Sequence, residues 1–323
     1  IQESESGIAP EIAVPIPEPE GDPIGVISLT GRSEDRNYRT GELKLLTALA
    51  AMVSAFLRNH RLAAKARLAD QRAREQEIAR QVYLGLLPDR DPDFQGLDIS
   101  GACISADTVG GDYYGYHNLP DGGLGIAMAD VTGHGVGAAM YMAAMKGVFQ
   151  AESRRVSAPS DLLRRANEAL ESDFSRSDIF ATAFFAHFPP GGSRFEYALG
   201  GHNPPILVRA EGSASMLDRG GIALGVLPNV QYEETSCRVE AGDALIVYTD
   251  GLLEARDRDR RFYGLDRLQR LATDSRKDGA ENLRDRILDD LMRHTEGRTP
   301  SDDVTLVVVK VLGETAGKGG TDG

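Results

Sequence analysis

The chain has 323 residues and a formal net charge of −13, with 41% hydrophobic and 26% charged residues. These values suit a soluble globular protein of one or two domains. They exclude a nucleic-acid binder, whose phosphate contacts need clustered Lys and Arg. Cys103 and Cys237 are too few and too far apart for a disulfide framework, so a reducing cytoplasm is the expected compartment. No apolar run reads as a membrane span, and the opening IQESESGIAPEIAVPIPEPEGD holds neither a basic leader nor an apolar signal core. The start at Ile1 rather than Met reads as a piece of a longer protein.

In chain order, Ile24–Leu29 (IGVISL) reads as a strand, followed by a polar turn and a helix pattern from Glu42 to Leu57. There Leu43, Leu46, Leu49, Val53 and Phe56 recur near 3.6-residue spacing. Thr40 is placed to cap this helix, and Glu42 suits its positive start. One strand and one helix cannot enclose a core, so residues 1–58 must lean on something else. From Arg58 to Leu87 no Gly precedes Gly85 and no Pro precedes Pro88, which reads as one continuous helix. Its apolar line of Leu57, Ala64, Leu68, Ile78 and Val82 is interrupted by Arg61, Gln71 and Glu75. That pattern fits either a solvated linker or a marginal parallel coiled coil that dimerises the protein.

Beyond Leu97, strand-like runs (Ile99–Ala106, Leu124–Ala129, Ala181–Phe188, Phe195–Leu199, Ile206–Val208, Ala244–Tyr248, Val304–Val311) alternate with helical ones. The helical stretches are Ala138–Gln150, Pro159–Ser172, Leu265–Thr273 and Ala280–Thr295. This succession favours a layered α+β sandwich over a doubly wound sheet. The organisation expected is a first segment 1–58, a linker helix 59–88, a main domain 89–312 and a disordered tail 313–323.

Four short motifs in the third region place an Asp beside the end of an apolar strand: GGDYY (Gly110–Tyr114), ADVTGHG (Ala129–Gly135), YTDGL (Tyr248–Leu252) and SDDVTLVVV (Ser301–Val309). Each alone also reads as a turn or a solvated loop, since Asp-Gly and Gly-Gly-Asp are turn signals. Together they predict a carboxylate cluster, which cannot stay charged and unpaired without drawing in a cation. Oxygen donors without Cys or paired His select Mg²⁺ or Mn²⁺ over zinc. Two such ions about 3.5–4 Å apart can activate a water and hold a phosphoryl group for in-line attack.

The succession GGDYY, ADVTGHG, GGHNPP (Gly200–Pro205), ALGV (Ala223–Val226), YTDGL, RFYG (Arg261–Gly264) and DDVTLVVV resembles the SpoIIE/RsbU-type branch of the PPM, or type 2C, metal-dependent protein phosphatases. The likeness covers about residues 75–312, including a lead-in EIARQVYLGLLP (Glu77–Pro88). It implies a four-layer α/β/β/α sandwich and a two-metal site. In that site Asp130 bridges the ions, the Val131 carbonyl adds a ligand, and Asp112, Asp250 and Asp302 complete the set. Asp303 would support it, and Gly111 and Gly251 flank it. Asp302 rather than Asp303 is the ligand by motif position alone. The implied substrate is a phosphoserine on a STAS-domain anti-anti-sigma protein, with control through dimerised lead-in helices. Residues 1–58 resemble the closing third of a GAF sensor domain.

Wider relatives carry a His two residues after the bridging Asp, where this chain has Thr132. His134 is either a general acid or a cap for the helix that follows. A phosphate-gripping Arg has no clear counterpart. GGHNPP reads as a tight hairpin between FEYAL and ILV, its polar side chains satisfying the turn. Among competing readings, a diguanylate cyclase finds only the GGDYY likeness and leaves YTDGL and DDVT unexplained. A thiol phosphatase lacks a Cys opening a Gly-rich loop closed by Arg. An inactive dimeric scaffold would be expected to have lost a metal Asp.

Overall fold

The computed structural model describes residues 12–18, 21–29, 40–191 and 193–313. The chain divides into two compact units, residues 1–76 and 77–323. In the first, β1 (Ile12–Ile16) pairs antiparallel with β2 (Gly25–Leu29). Val14 of the hairpin packs with Leu46 and Ala50 of α1 (Thr40–Leu84), flanked by Ile12, Ile16 and Ile27. The Ser54 hydroxyl donates to the Pro17 carbonyl at 2.6 Å. The sequence reading missed β1 because Pro15 sits inside it, and Pro is tolerated on a strand whose other edge is unpaired. Most of the polar turn expected after β2, and all but Gly313 of the expected tail, lie outside the described residues.

α1 is one helix of 45 residues, without a break where the sensor-like segment was expected to end. No charged residue occurs between Lys44 and Arg58. An 18-residue window of α1 consequently reaches a mean hydropathy of 1.4, long and apolar enough to cross a membrane by composition, with 17% of it buried. The sequence reading found no such stretch, because it took the longest apolar runs as broken by polar residues. Leu45, Leu49, Met52 and Phe56 line an exposed strip at 4-3-4 spacing, the repeat of a coiled-coil seam.

The second unit holds two five-stranded sheets. One has the order β10-β7-β6-β5-β4, built from β4 (Asp112–Asn118), β5 (Leu124–Val131), β6 (Ala181–Phe188), β7 (Arg194–Gly200) and β10 (Glu234–Arg238). The other has the order β3-β12-β11-β8-β9, from β3 (Leu97–Ile104), β8 (Ile206–Val208), β9 (Ala214–Met216), β11 (Ala244–Tyr248) and β12 (Val304–Val311). Side chains alternate between faces along each strand. In β5, Ile126 and Met128 enter the core between the sheets with Val247, Val307 and Val309. Ala127 and Ala129 face the opposite way, against α2 (Gly135–Glu152) and α3 (Pro159–Arg176). In β12, Leu306 and Val308 turn outward onto α5 (Leu265–Asp274) and α6 (Ala280–His294). The result is the expected α/β/β/α sandwich.

Strands β6, β8, β11 and β12 occupy the predicted residues. β4 was not among the strand-like runs, although GGDYY was placed beside a strand end, and β9 and β10 were not anticipated. GGHNPP is not a hairpin: β7 and β8 lie in different sheets, and the segment carries the chain from one to the other. Gly201 turns it at φ +68°, and Pro204–Pro205 offer no N–H with which to continue a ladder.

Candidate metal centre

The four Asp-bearing motifs meet at one end of the two sheets. Asp112 opens β4 and stands directly opposite Asp130 at the end of β5. On the other sheet, β11 ends at Tyr248, and Asp250 opens the short helix α4 (Asp250–Glu254) two residues later. β12 runs antiparallel to β11 and starts at Val304, immediately after Asp302 and Asp303.

Asp112 is buried, and one of its oxygens accepts two hydroxyls from the facing sheet: Thr249 Oγ1 at 2.8 Å and Thr305 Oγ1 at 2.6 Å. The Thr305 N–H in turn donates to Thr249 Oγ1 at 2.9 Å. Sequence reasoning passed over both threonines, although each belongs to a motif it singled out. Burial raises the Asp112 pKa well above the usual carboxylate range, and the charge of Asp130 adds to it, while the two hydroxyls counteract. Asp130 is pushed up to about 7, first by burial and then by the charges of Asp250, Asp302 and Asp303. Burial and Asp302 raise Asp250 as well.

Asp303 is turned to a different purpose. Its carboxylate accepts the N–H groups of Ala106 at 2.8 Å and Gly111 at 2.7 Å, which ties the GGD loop to the start of β12. The glycines here answer to space. A Cβ on Gly110 would lie 2.1 Å from Asp303 Oδ2, one on Gly111 2.6 Å from the Val131 carbonyl oxygen, and one on Gly251 2.0 Å from the Asp303 carbonyl oxygen. Asp302 is exposed, with one oxygen accepting the Asp303 N–H at 2.8 Å.

Among the described residues no three Asp, Glu, His or Cys side chains are drawn into a closed ligand set. Asp112 is held by threonines and Asp303 by backbone N–H groups. The chemistry of the cluster nevertheless fits hard divalent cations. It offers only oxygen donors, no described Lys or Arg pairs with any of the five carboxylates, and their mutual repulsion already raises Asp130.

The remaining candidates are separate from this cluster. His134 stands at the N-cap position of α2, yet it is exposed and makes no capping hydrogen bond, so neither role read for it is visible in its contacts. Thr132 exchanges hydrogen bonds with Phe180, its hydroxyl donating to the carbonyl at 3.1 Å and accepting the N–H at 3.2 Å. His202 is buried with Nδ1 2.9 Å from Thr182 Oγ1, and Thr182 lies opposite Asp130. Burial lowers its pKa to about 3, so the ring is neutral and serves the fold beneath the site. From the lead-in motif, the buried Tyr83 hydroxyl reaches the Asp112 carbonyl at 3.4 Å and Cys103 Sγ at 3.3 Å.

Two facing sheets between helical layers, with carboxylates at one end, are the architecture of the type 2C protein phosphatases. The SiaA-PP2C domain of Pseudomonas aeruginosa superposes with a TM-score of 0.67 at 19% identity, covering 77% of this chain and 98% of that one. The family model described as Stage II sporulation protein E (SpoIIE) matches residues 120–312, and the chain belongs to that family. Asp130, Asp250 and Asp302 fall inside the matched stretch, and Asp112 lies just ahead of it. Phosphoserine phosphatase RsbU of Bacillus subtilis is 29% identical over 238 residues, 73% of this chain and 70% of that protein. Protein IcfG of Synechocystis is 29% identical over 262 residues, 73% of this chain but 41% of that protein, so the chain spans about two fifths of IcfG's length.

Proposed function

We propose that the chain is a metal-dependent protein-serine/threonine phosphatase that hydrolyses phosphoserine. The observation that carries this is the convergence of five carboxylates without a protein cation, with Asp130 pushed up to about 7. Asp130, the Val131 carbonyl, Asp250 and Asp302 would hold two Mn²⁺ or Mg²⁺ ions, with Asp112 completing the set from the threonine side. Bound there, the ions would lower the pKa of a water and neutralise phosphoryl oxygens. The chain's own part is to fix the carboxylates. Thr249 and Thr305 hold Asp112, and Asp303 holds the GGD loop.

The substrate proposed is a phosphorylated STAS-domain anti-anti-sigma protein, and the support for it is the likeness to a phosphoserine phosphatase such as RsbU. A homodimer through the linker part of α1 is supported by Leu68, Ile78 and Val82 of the apolar line, which stand exposed. The contact of Tyr83 with the Asp112 carbonyl supports control through the lead-in helix. The GAF-like reading of the first unit and a cytoplasmic location belong to the same proposal, and both cysteines are free. The cyclase alternative loses its footing, since GGDYY opens β4 of the sandwich instead of forming a hairpin tip.

The test is phosphate release from a phosphoserine peptide or an aryl phosphate with and without Mn²⁺. Wild type should require the ion and Asp250→Ala should lose the activity. Equal turnover with and without metal, or in both proteins, would sink the proposal, and no turnover under any condition would favour the inactive scaffold.

A further inference from the structure

The rim beside Asp250 and Asp302 carries charge opposite in sign to the chain as a whole. After α4 the backbone doubles back: Arg256 bridges Phe262, the Asp257 N–H donates to the Arg261 carbonyl at 3.0 Å, and Arg260 turns at φ +64°. The base of this small hairpin is fastened to α4, with Tyr263 N–H donating to the Ala255 carbonyl at 2.8 Å and Gly264 N–H to that of Leu253 at 3.0 Å. Its far side rests on the end of α6, where His294 Nε2 lies 3.1 Å from the Arg261 carbonyl and Arg258 pairs with Glu296. The hairpin therefore joins α4, which Asp250 opens, to the end of α6, from which the chain runs on to Asp302. Four helical steps and two extended residues place the Arg256 Cα no more than about 13 Å from that of Asp250.

Four arginines lie on the hairpin. Arg261 is paired with Asp257 and Asp259, and Arg258 with Glu296. Arg256 and Arg260 have no carboxylate partner among the described residues. Arg256 is instead held over the Phe262 ring, 4.6 Å from its centroid, and that ring is 51% exposed. Arg298, on the stretch leading to Asp302, uses its Nε to donate to the Thr295 carbonyl at 3.2 Å and has no described ion pair. Three exposed guanidinium groups without described ion pairs thus lie on the chain segments that leave Asp250 and lead up to Asp302, in a protein of net charge −13. Charges needed only for solubility have no reason to collect there.

We infer that this arginine rim is the docking face for a phosphoprotein segment whose phosphoserine is flanked by Asp or Glu. The inference rests on the phosphatase reading and names the substrate class for that site. A carboxylate cluster repels an acidic segment, and the rim supplies the opposite charge beside it. Guanidinium forks match carboxylates in two-point geometry, and Arg256, stacked on Phe262, loses little freedom in making the pair. Rim charges of this kind select partners and speed their approach.

The test uses the full chain and two fluorescein-labelled phosphoserine peptides, one with Asp and Glu flanks and one with Asn and Gln in their place. Anisotropy in metal-free buffer should show the double variant Arg256→Ala, Arg260→Ala binding the acidic peptide about fivefold more weakly than wild type, the scale of two exposed ion pairs. The neutral peptide should bind both proteins alike, and the difference should shrink in high salt. With Mn²⁺, KM for the acidic peptide should rise while kcat and aryl phosphate hydrolysis stay unchanged. Charge reversal at Arg260→Glu should widen the gap. Equal binding of the acidic peptide by wild type and variants overturns the rim. So does lost affinity for phosphatidylserine vesicles with unchanged peptide affinity, which reassigns it to a membrane. Failure of wild type to hydrolyse aryl phosphate with Mn²⁺ strikes the phosphatase reading instead, and the anisotropy result stands apart from it.

Discussion

Thr305→Val removes one oxygen and keeps the shape and strand preference of the side chain. In β12 the residue pairs with Cys103 of β3, and valine suits that buried strand position as well as threonine does. What is lost is the 2.6 Å hydrogen bond to Asp112, leaving Thr249 as the sole hydroxyl on that carboxylate. A hydrogen bond to a buried charge is worth about 1.5–3 kcal/mol. Asp112 must be ionised to serve a metal site, and Thr305 favours its ionised form. Mn²⁺ affinity should therefore fall about 10- to 150-fold, with little change in the melting temperature of the ion-free protein. Isothermal titration with Mn²⁺ measures the first quantity and calorimetric melting in EDTA the second. Thr305→Ser should restore most of the affinity. Unchanged Mn²⁺ affinity in Thr305→Val would refute the argument that the facing sheet prepares Asp112.

The two adjacent aspartates should separate by readout. Asp303→Asn should lower ion-free stability by about 1–3 kcal/mol, because Ala106 and Gly111 lose a charged acceptor. Asp302→Asn should abolish Mn²⁺ binding with the melting temperature kept or raised, since it removes a charge repelling Asp130. Between the unfolded carboxylate value and about 7, the folded protein holds an extra proton on Asp130, so ion-free stability should fall as pH rises through that window. That proton, and the one Asp112 holds through its own raised pKa, must leave on ion binding, so Mn²⁺ affinity should climb by at least about tenfold per pH unit below 7, as titrations at pH 5, 6 and 7 would show. Gly251→Ala sets a Cβ 2.0 Å from the Asp303 carbonyl oxygen. Overpacking costs about 1–3 kcal/mol, and a lowered melting temperature in a thermal shift assay would register it.

Strands read cleanly where burial on both faces leaves an unbroken apolar run. VTLVVVKV and ALIVY are of that kind, and their limits were legible to the residue. β4 was hidden because Gly-Gly-Asp signals a turn in local terms. Its glycines are required by the approach of Asp303 and the Val131 carbonyl, contacts between residues far apart in sequence. GGHNPP misled for a related reason, since a turn and a passage between sheets need the same residues. The acidic cluster was legible as a set of strand ends. Its threonines were not, because a hydroxyl has no signature until the strand facing it is known. Asp302 and Asp303 are indistinguishable as letters, yet their contacts differ: one is exposed, and the other is occupied by two N–H groups.

The pairing of β3 with β12 joins the first and last strands of the second unit along eight residue pairs, from Leu97↔Val311 to Ile104↔Val304. β4 to β7 can zip up in the order they leave the ribosome, each beside its predecessor. β3 must wait for nearly the whole unit to be made, whereas β11 finds β8 already beside it. Contacts of such sequence separation form late and slowly. Because Asp302 and Asp303 arrive only with β12, a half-made chain displays Asp112 and Asp130 without the other carboxylates. The cluster is therefore completed only once β12 has been made, and a chain cut short anywhere before residue 302 lacks two of its five carboxylates.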